Sequence, residues 1–318
     1  MSLRTDLAVD ESEKVNNITM LKGLKNDEAW LCDMKVTKTE ILDKVAATEF
    51  RKPIGKYVTI EFNDISNDDK KFTDLIEISA SELSKMLHLK ISDTVLVVCL
   101  GNNEITPDSL GPKASKSVIP TRHIKEKLKK IYSENKFAPV AIITPGVLGQ
   151  TGIETAEIVR GVVKEIKPKA VIVIDALMST NLSRLAKTIQ ITDSGIIPGG
   201  ADNKMRAEIS KETLKVPVIS IGVPTVVDAA TITKELIGEV LNIVSENEDG
   251  SKGVYNSLNE KEKQDRMKEC LSPYEKALIV TPNEIDFFIN EIAKVIGYTI
   301  NKALHNDISI EDMQMLIS

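Results

Sequence analysis

The chain has 318 residues, 42% hydrophobic and 28% charged, with a formal net charge of −6. That composition suits one large or two small globular domains and disfavours direct binding to DNA or RNA, since no lysine/arginine cluster stands alone. Three widely spaced cysteines, Cys32, Cys99 and Cys270, exclude a disulfide framework and lack zinc-ligand spacing, and no apolar stretch approaches the ~20 residues of a membrane span.

The N-terminus lacks the apolar core of a signal peptide, so a cytoplasmic protein is expected. Residues 1–26 are polar without firm periodicity and read as a mobile or loosely docked leader. Residues 27–50 mix helix and strand signals. Tyr57 to Phe62 alternates and is β-branched and aromatic, which predicts a strand at a sheet edge. Asn63 to Lys71 is a polar turn. Ser79-Ala-Ser-Glu82 has capping-box spacing and predicts a helix through about Leu89.

Val95 to Leu100 is a short apolar run with three valines, the pattern of a strand buried on both faces. Gly101-Asn102 ends it, Pro107 stiffens the following turn, and a helix is expected from about Ser109. The basic run Ile124 to Lys130 reads as a solvated helix face. A strand over 139–143 leads into Thr144-Pro-Gly-Val-Leu-Gly-Gln-Thr-Gly152. Thr151-Gly-Ile-Glu154 predicts a helix start, and Ile153, Ala156, Val159, Val163 and Ile166 give that helix an apolar face before Pro168. The strand Ala170–Ile174 follows and ends in Asp175. Strand, loop, helix, strand is a βαβ unit with parallel strands.

Lys187–Thr192 and Pro217–Gly222 are further strands. A helix carrying Leu236, Val240 and Ile243 comes next, then a polar surface excursion over 245–275. Thr281-Pro-Asn-Glu284 is the strongest helix start in the chain, and Ile285 to Ile300 show a broad apolar face. The expected class is α/β: a doubly wound, mostly parallel sheet with helices on both faces.

In such sheets chemistry gathers beyond the carboxyl ends of central strands. Asp108 and Asp175 both fall there. Two close carboxylates tend to share a proton, so that one activates water while the other donates to a scissile carbonyl. The alternative is that each caps a helix. Asp193-Ser-Gly195 matches the triplet of pepsin-like proteases, with turn formation as the alternative. Gly146, Gly149 and Gly152 lie three apart and suit either a tight turn or a phosphate cradle. His88, His123 and His305 have no metal-ligand spacing and read as surface or packing residues. Two other function classes stay open on pattern: a phosphate- or nucleotide-binding phosphorylase-like protein, and a metal-dependent maturation endopeptidase.

Leu3–Val9, Ile105–Lys113, Thr121–His123, Pro145–Val147 with Thr151–Thr155, Ile174–Leu177, Ile191–Ile196, Gly222–Ala229 and Val280–Asp286 occur in one order from residue 3 to about 305. Together they resemble the germination proteases of spore-forming Firmicutes. The resemblance implies a sequence-specific endopeptidase that degrades small acid-soluble spore proteins coating DNA. It implies a zymogen that loses a short pro-segment, a homotetramer, and a location in the cytoplasm of the forespore and spore core. It implies a fold similar to hydrogenase maturation endopeptidases, with Asp108 and Asp175 as the catalytic pair. Gly101, Asn102, Gln150, Thr151, Arg184 and Asp193 are expected to support the site. The hydrogenase relatives hold nickel with a histidine that has no match here, so no metal and no cofactor is expected. Asp6-Leu7 resembles the family's cleavage pattern, an acid followed by an apolar residue. That divides the chain into a pro-segment, 1–6, and a single peptidase domain, 7–318. Thr48-Glu49-Phe50 matches the pattern too and is expected to be protected by folding. The run Pro198-Gly-Gly-Ala-Asp-Asn203 departs from the family's usual Pro-Gly-Ser-Gly-Val-Gly-Asn, and 245–275 is shorter than is common in it.

Overall fold

The computed structural model describes residues 5–14, 23–63, 65, 68–127, 137–199, 207–229, 231–233, 279–305 and 308–317. Among them nine strands run β1 (Leu24–Leu31), β2 (Met34–Ile41), β3 (Gly55–Glu61), β4 (Val95–Cys99), β5 (Val140–Ile143), β6 (Ala170–Met178), β7 (Thr188–Thr192), β8 (Val218–Asp228) and β9 (Ile279–Val280). They lie in the order β1-β2-β3-β7-β8-β6-β4-β5, with β9 against β8. The class is the expected α/β one. β8, β6, β4 and β5 pair in parallel and form the core of the sheet. From β8 outward through β7, β3, β2 and β1 every pairing is antiparallel, a flank the sequence pattern did not predict.

The strands' two-residue period divides the core between two faces. Val95, Val97, Cys99, Ile172, Ile174, Ile219 and Ile221 point to one. It is covered by α3 (Asp69–Leu87), α4 (Leu110–Ala114) and α9 (Ile285–Leu304), with α10 (Ile310–Ile317) behind. His305 is buried there. Its Nδ1 accepts from the Ala138 N–H at 3.2 Å, and burial lowers its pKa to about 4, so it is a packing residue. Leu96, Val98, Leu100, Val171, Val173 and Val218 point to the other face, under Ala156, Val159 and Val163 of α7 (Thr155–Ile166). Helices therefore cover both faces.

Tyr57–Phe62 belongs to an interior strand, not an edge: β3 sits between β2 and β7. The edge is β1, exposed along nearly its whole length, so it carries no alternation to read. Helix α3 starts at Asp69, capped by the Asp68 carboxylate accepting from the Lys71 N–H at 3.0 Å. Ser79 lies inside that helix, and Glu82 pairs with Lys38 and Lys85 rather than closing a box. Thr151 likewise ends a four-residue turn, α6 (Leu148–Thr151), while α7 begins after Glu154. Helix α9 starts at Ile285, because the Thr281 hydroxyl is committed to the Thr225 carbonyl at 2.9 Å.

The leader is the largest correction. Residues 8–14 form α1 (Ala8–Lys14), beside α2 (Lys44–Phe50), and Leu7 to Ser12 are buried. Thr48, Glu49 and Phe50 fall within α2, with Phe50 fully buried and Thr48 and Glu49 exposed. The helix expected around Leu236–Ile243, the excursion 245–275 and most of the 198–203 loop lie outside the described residues.

Candidate active site

Strand β4 ends at Cys99 and the chain turns sharply at Gly101, whose φ of +117° disfavours any side chain. A Cβ there would also collide with the Asp108 carbonyl oxygen. This tight return brings Asp108 back over the strand end. The Asn102 N–H donates to Asp108 Oδ2 at 2.8 Å, and Asn102 Oδ1 accepts from Gln150 Nε2 at 2.6 Å. Gly101, Asn102, Asp108 and Gln150 therefore form one cluster, bridging the loops after β4 and β5. Gly146 and Gly152 take φ of +72° and +70° around that second loop, as a tight turn needs. The Thr151 hydroxyl stays within it, donating to the Val147 and Ile153 carbonyls.

Asp175 lies on the neighbouring strand β6, inside it and not at its end, since β6 continues to Met178. Its side chain is only 7% exposed and its Oδ1 accepts from the Ala176 N–H at 2.9 Å. Burial raises its pKa well above the usual carboxyl value, and the charges of Asp108 and then Asp6 add to the rise. Asp108 is also raised by burial, but the Asn102 N–H favours its charged form and opposes the rise. The two acids thus interact and are unequal, Asp175 the more proton-retaining.

Across the sheet Asp175 is in register with Gly222 of β8, and Gly222 with Gln190 of β7. Residues in register share a face, so Asp175 and Gln190 stand on one side of the sheet, two strand spacings or on the order of 10 Å apart. Gly222 between them has no side chain, and Leu177 lies over it in the space a Cβ would need.

The N-terminal segment crosses this row. The Asp6 N–H donates to the Met178 carbonyl at 2.8 Å, and the Met178 N–H donates to Asp6 Oδ2 at 2.8 Å. Gln190 Nε2 donates to the Asp6 carbonyl oxygen at 3.1 Å, and Gln190 Oε1 accepts from the Ala8 N–H at 2.7 Å. Lys52 Nζ donates to the Thr5 carbonyl at 2.7 Å. The Leu7 N–H donates to Thr5 Oγ1 at 3.1 Å, and the Leu7 side chain packs on Val9, Leu177 and Ile196. A cavity of about 130 Å3 adjoins Asp6, lined also by Tyr57, Asp175, Ser194 and Ser220.

A model of the germination protease family matches residues 4–252 and 244–316. Proteins named germination protease from Clostridium tetani and Clostridium perfringens are 42% and 41% identical to the chain over 324 positions, covering 100% of this chain and 100% and 99% of theirs. One from Priestia megaterium is 37% identical, covering 98% of this chain and 96% of its own. The chain belongs to the germination protease family. It is accordingly a hydrolase of peptide bonds tied to spore germination.

Two residues expected to support the site make their contacts with other partners. Arg184 points at the leader: its guanidinium pairs with Asp10 at 2.6 Å, with Glu61 at 2.8 Å, and in a fork with both carboxylate oxygens of Glu13. Asp193 ties the end of β7 to β3, its Oδ1 accepting from the Lys56 N–H at 2.7 Å and its own N–H donating back to the Lys56 carbonyl at 3.3 Å. Gln190 and Lys52 were not anticipated. The available signal was Gln190 itself, a lone amide in the β-branched run Thr188–Thr192, since a buried amide demands partners. Among the described residues no cluster of three or more His, Cys, Asp or Glu is arranged to hold a metal ion, and no helix is long and apolar enough to cross a membrane.

Proposed function

We propose that the chain is a self-processing endopeptidase that cuts its own Asp6–Leu7 bond and then degrades small acid-soluble spore proteins during germination, using Asp108 and Asp175 as an acid–base pair. The observation that carries this is the position of the Asp6–Leu7 peptide. It lies across the row between Asp175 and Gln190, with the Asp6 carboxylate close enough to raise the Asp175 pKa. The Asp6 side chain and Asp175 line one cavity, which supports the reading.

The chemistry follows from the inequality of the acids. Asp108, whose charge is favoured by the Asn102 N–H, takes a proton from water as the water oxygen adds to the Asp6 carbonyl carbon. Asp175 keeps its proton and donates it towards the developing oxyanion. When the C–N bond breaks, the Leu7 nitrogen leaves as an amine with the proton held by Asp108, and Asp6 acquires a new carboxyl group. The acidic residue before the cut is accommodated by the Met178 N–H, which binds its Oδ2. A glutamate at this position has the adjoining cavity for its extra methylene. The reading makes residues 1–6 a pro-segment and 7–318 one peptidase domain. It places the enzyme in the spore core, as a homotetramer without cofactor.

The test is intact mass and N-terminal sequencing of the full chain over time between pH 7 and 5, alongside digestion of a small acid-soluble spore protein. Asp108→Asn and Asp175→Asn are each expected to slow both cuts by at least ~10²-fold, the usual contribution of general acid–base catalysis. Wild-type processing should quicken below pH 7, as Asp175 holds its proton in a larger share of molecules, and should fall again once Asp108, the base, is protonated. Near-normal rates in either variant remove that residue from the mechanism, and a mature terminus other than Leu7 removes the site.

A further inference from the structure

We infer that Gln190 is a catalytic residue of this protease: its side-chain amide grips the backbone on both sides of the scissile bond and donates to the oxygen that becomes the oxyanion. The inference rests on the Asp6–Leu7 reading above. Nε2 donates to the carbonyl oxygen of Asp6, the residue before the cut, and Oε1 accepts from the N–H of Ala8, the second residue after it. The amide orientation is fixed by its partners. A carbonyl can only accept and an N–H can only donate, so a flipped amide would face repulsion at both ends. Gln190 is 4% exposed, in the middle of a five-residue strand paired on both sides, so it is held in place before any substrate reaction.

The geometry suits transition-state stabilisation. Charge develops on the Asp6 carbonyl oxygen as water adds, and an N–H donor in a dry site strengthens its bond to that oxygen as it does so. Asp175 on β6 and Gln190 on β7 stand on the same side of the sheet, with Gly222 between them. One group supplies a proton and the other a fixed dipole. The same amide recognises backbone alone, so it serves any substrate segment that lies as residues 6–8 do, whatever its side chains.

Gln190→Glu keeps the shape and the acceptor for the Ala8 N–H but loses the donor. A protonated glutamate donates again. The charged and titratable groups around that position are Asp6 from the leader, Asp175 from β6, Tyr57 from β3, Lys52 from the end of α2 and Glu208, which lines the same cavity. The experiment follows self-processing of the full chain by intact mass from pH 7.5 to 5, for wild type, Gln190→Glu and Gln190→Leu, with thermal unfolding to check the fold. At neutral pH both variants are expected to be slower by roughly 10²-fold, the usual cost of one oxyanion donor. The Gln190→Glu deficit should narrow towards acid as its carboxyl gains a proton, and the Gln190→Leu deficit should not. Folded Gln190→Glu protein that processes at the wild-type rate, or whose deficit is the same at every pH, overturns the role. If only Gln190→Leu folds, a wild-type rate in it does so as well. Wild type that leaves Asp6–Leu7 intact removes the underlying reading and this inference with it. Wild type that cuts while both variants keep pace removes Gln190 alone.

Discussion

Asp175 carries a burden that the fold would be more stable without. A buried carboxyl with two acidic neighbours is held above its ordinary pKa. By linkage, a carboxyl raised in the folded state contributes stability at low pH and loses it as pH climbs through the folded pKa. Asp175→Asn removes that loss. The variant should melt above wild type at pH 7 by several degrees, with the gap shrinking as pH falls towards the ordinary carboxyl range. Thermal unfolding at pH 5, 6 and 7 measures it, and a variant less stable than wild type at pH 7 contradicts it. At this scale the two candidate acids could be picked out because chemistry collects at strand ends in α/β sheets, although Asp175 lies inside β6 and not at its end. Gln190 could not. Its partners are backbone atoms of residues 6 and 8, more than 180 positions away. Asp193 had a suggestive triplet, but its hydrogen bonds tie it to Lys56 on another strand.

Helix α1 shows why a polar segment need not be a loose one. Asp10, Glu11 and Glu13 belong to the stretch that reads as a mobile or loosely docked leader, yet Asp10 is 2% exposed. Burial alone would raise its pKa, but hydrogen bonds from Thr5, the Thr180 N–H and Ser179, with the charge of Arg184, more than offset this, and the net shift is downward. The counter-charge comes from Arg184, 174 positions on, so no window along the sequence contains both halves of the pair. Breaking a buried pair from one side leaves the other charge stranded, at a cost of about 3–5 kcal/mol. Arg184→Met should therefore loosen α1, expose residues 5–14 to limited proteolysis, and slow processing by unseating the scissile segment while the sheet stays folded. Proteolytic protection of that segment equal to wild type would show that Arg184 is not what holds it.

For the molecule as a whole, the two halves of the sheet have different tasks. The parallel half was legible, since its strands are continuous apolar runs punctuated by loops and helices. It delivers both carboxylates. The antiparallel flank was harder to read, because β1 is exposed on both faces and β2 and β3 bury threonines beside apolar residues. Yet β3 and β7 of that flank carry Glu61 and Gln190, which hold the leader directly or through Arg184. Among the described residues, Met178, Gln190 and Lys52 all reach the segment around the Asp6–Leu7 bond from within the chain's own fold. If the chain cuts this bond itself, as proposed, that seating bears on the reaction order. On that proposal the bond would meet the chain's own carboxylates at a high effective concentration. Maturation should then be unimolecular: diluting the chain about a hundredfold leaves its half-time unchanged, and wild type mixed with folded Asp108→Asn chains leaves their Asp6–Leu7 bond whole. A half-time that lengthens on dilution, or cleavage of the Asp108→Asn partner, would instead mean that molecules arm one another. With a unimolecular step, each copy runs on its own clock, and a compartment holding very few copies matures them as promptly as one that is crowded.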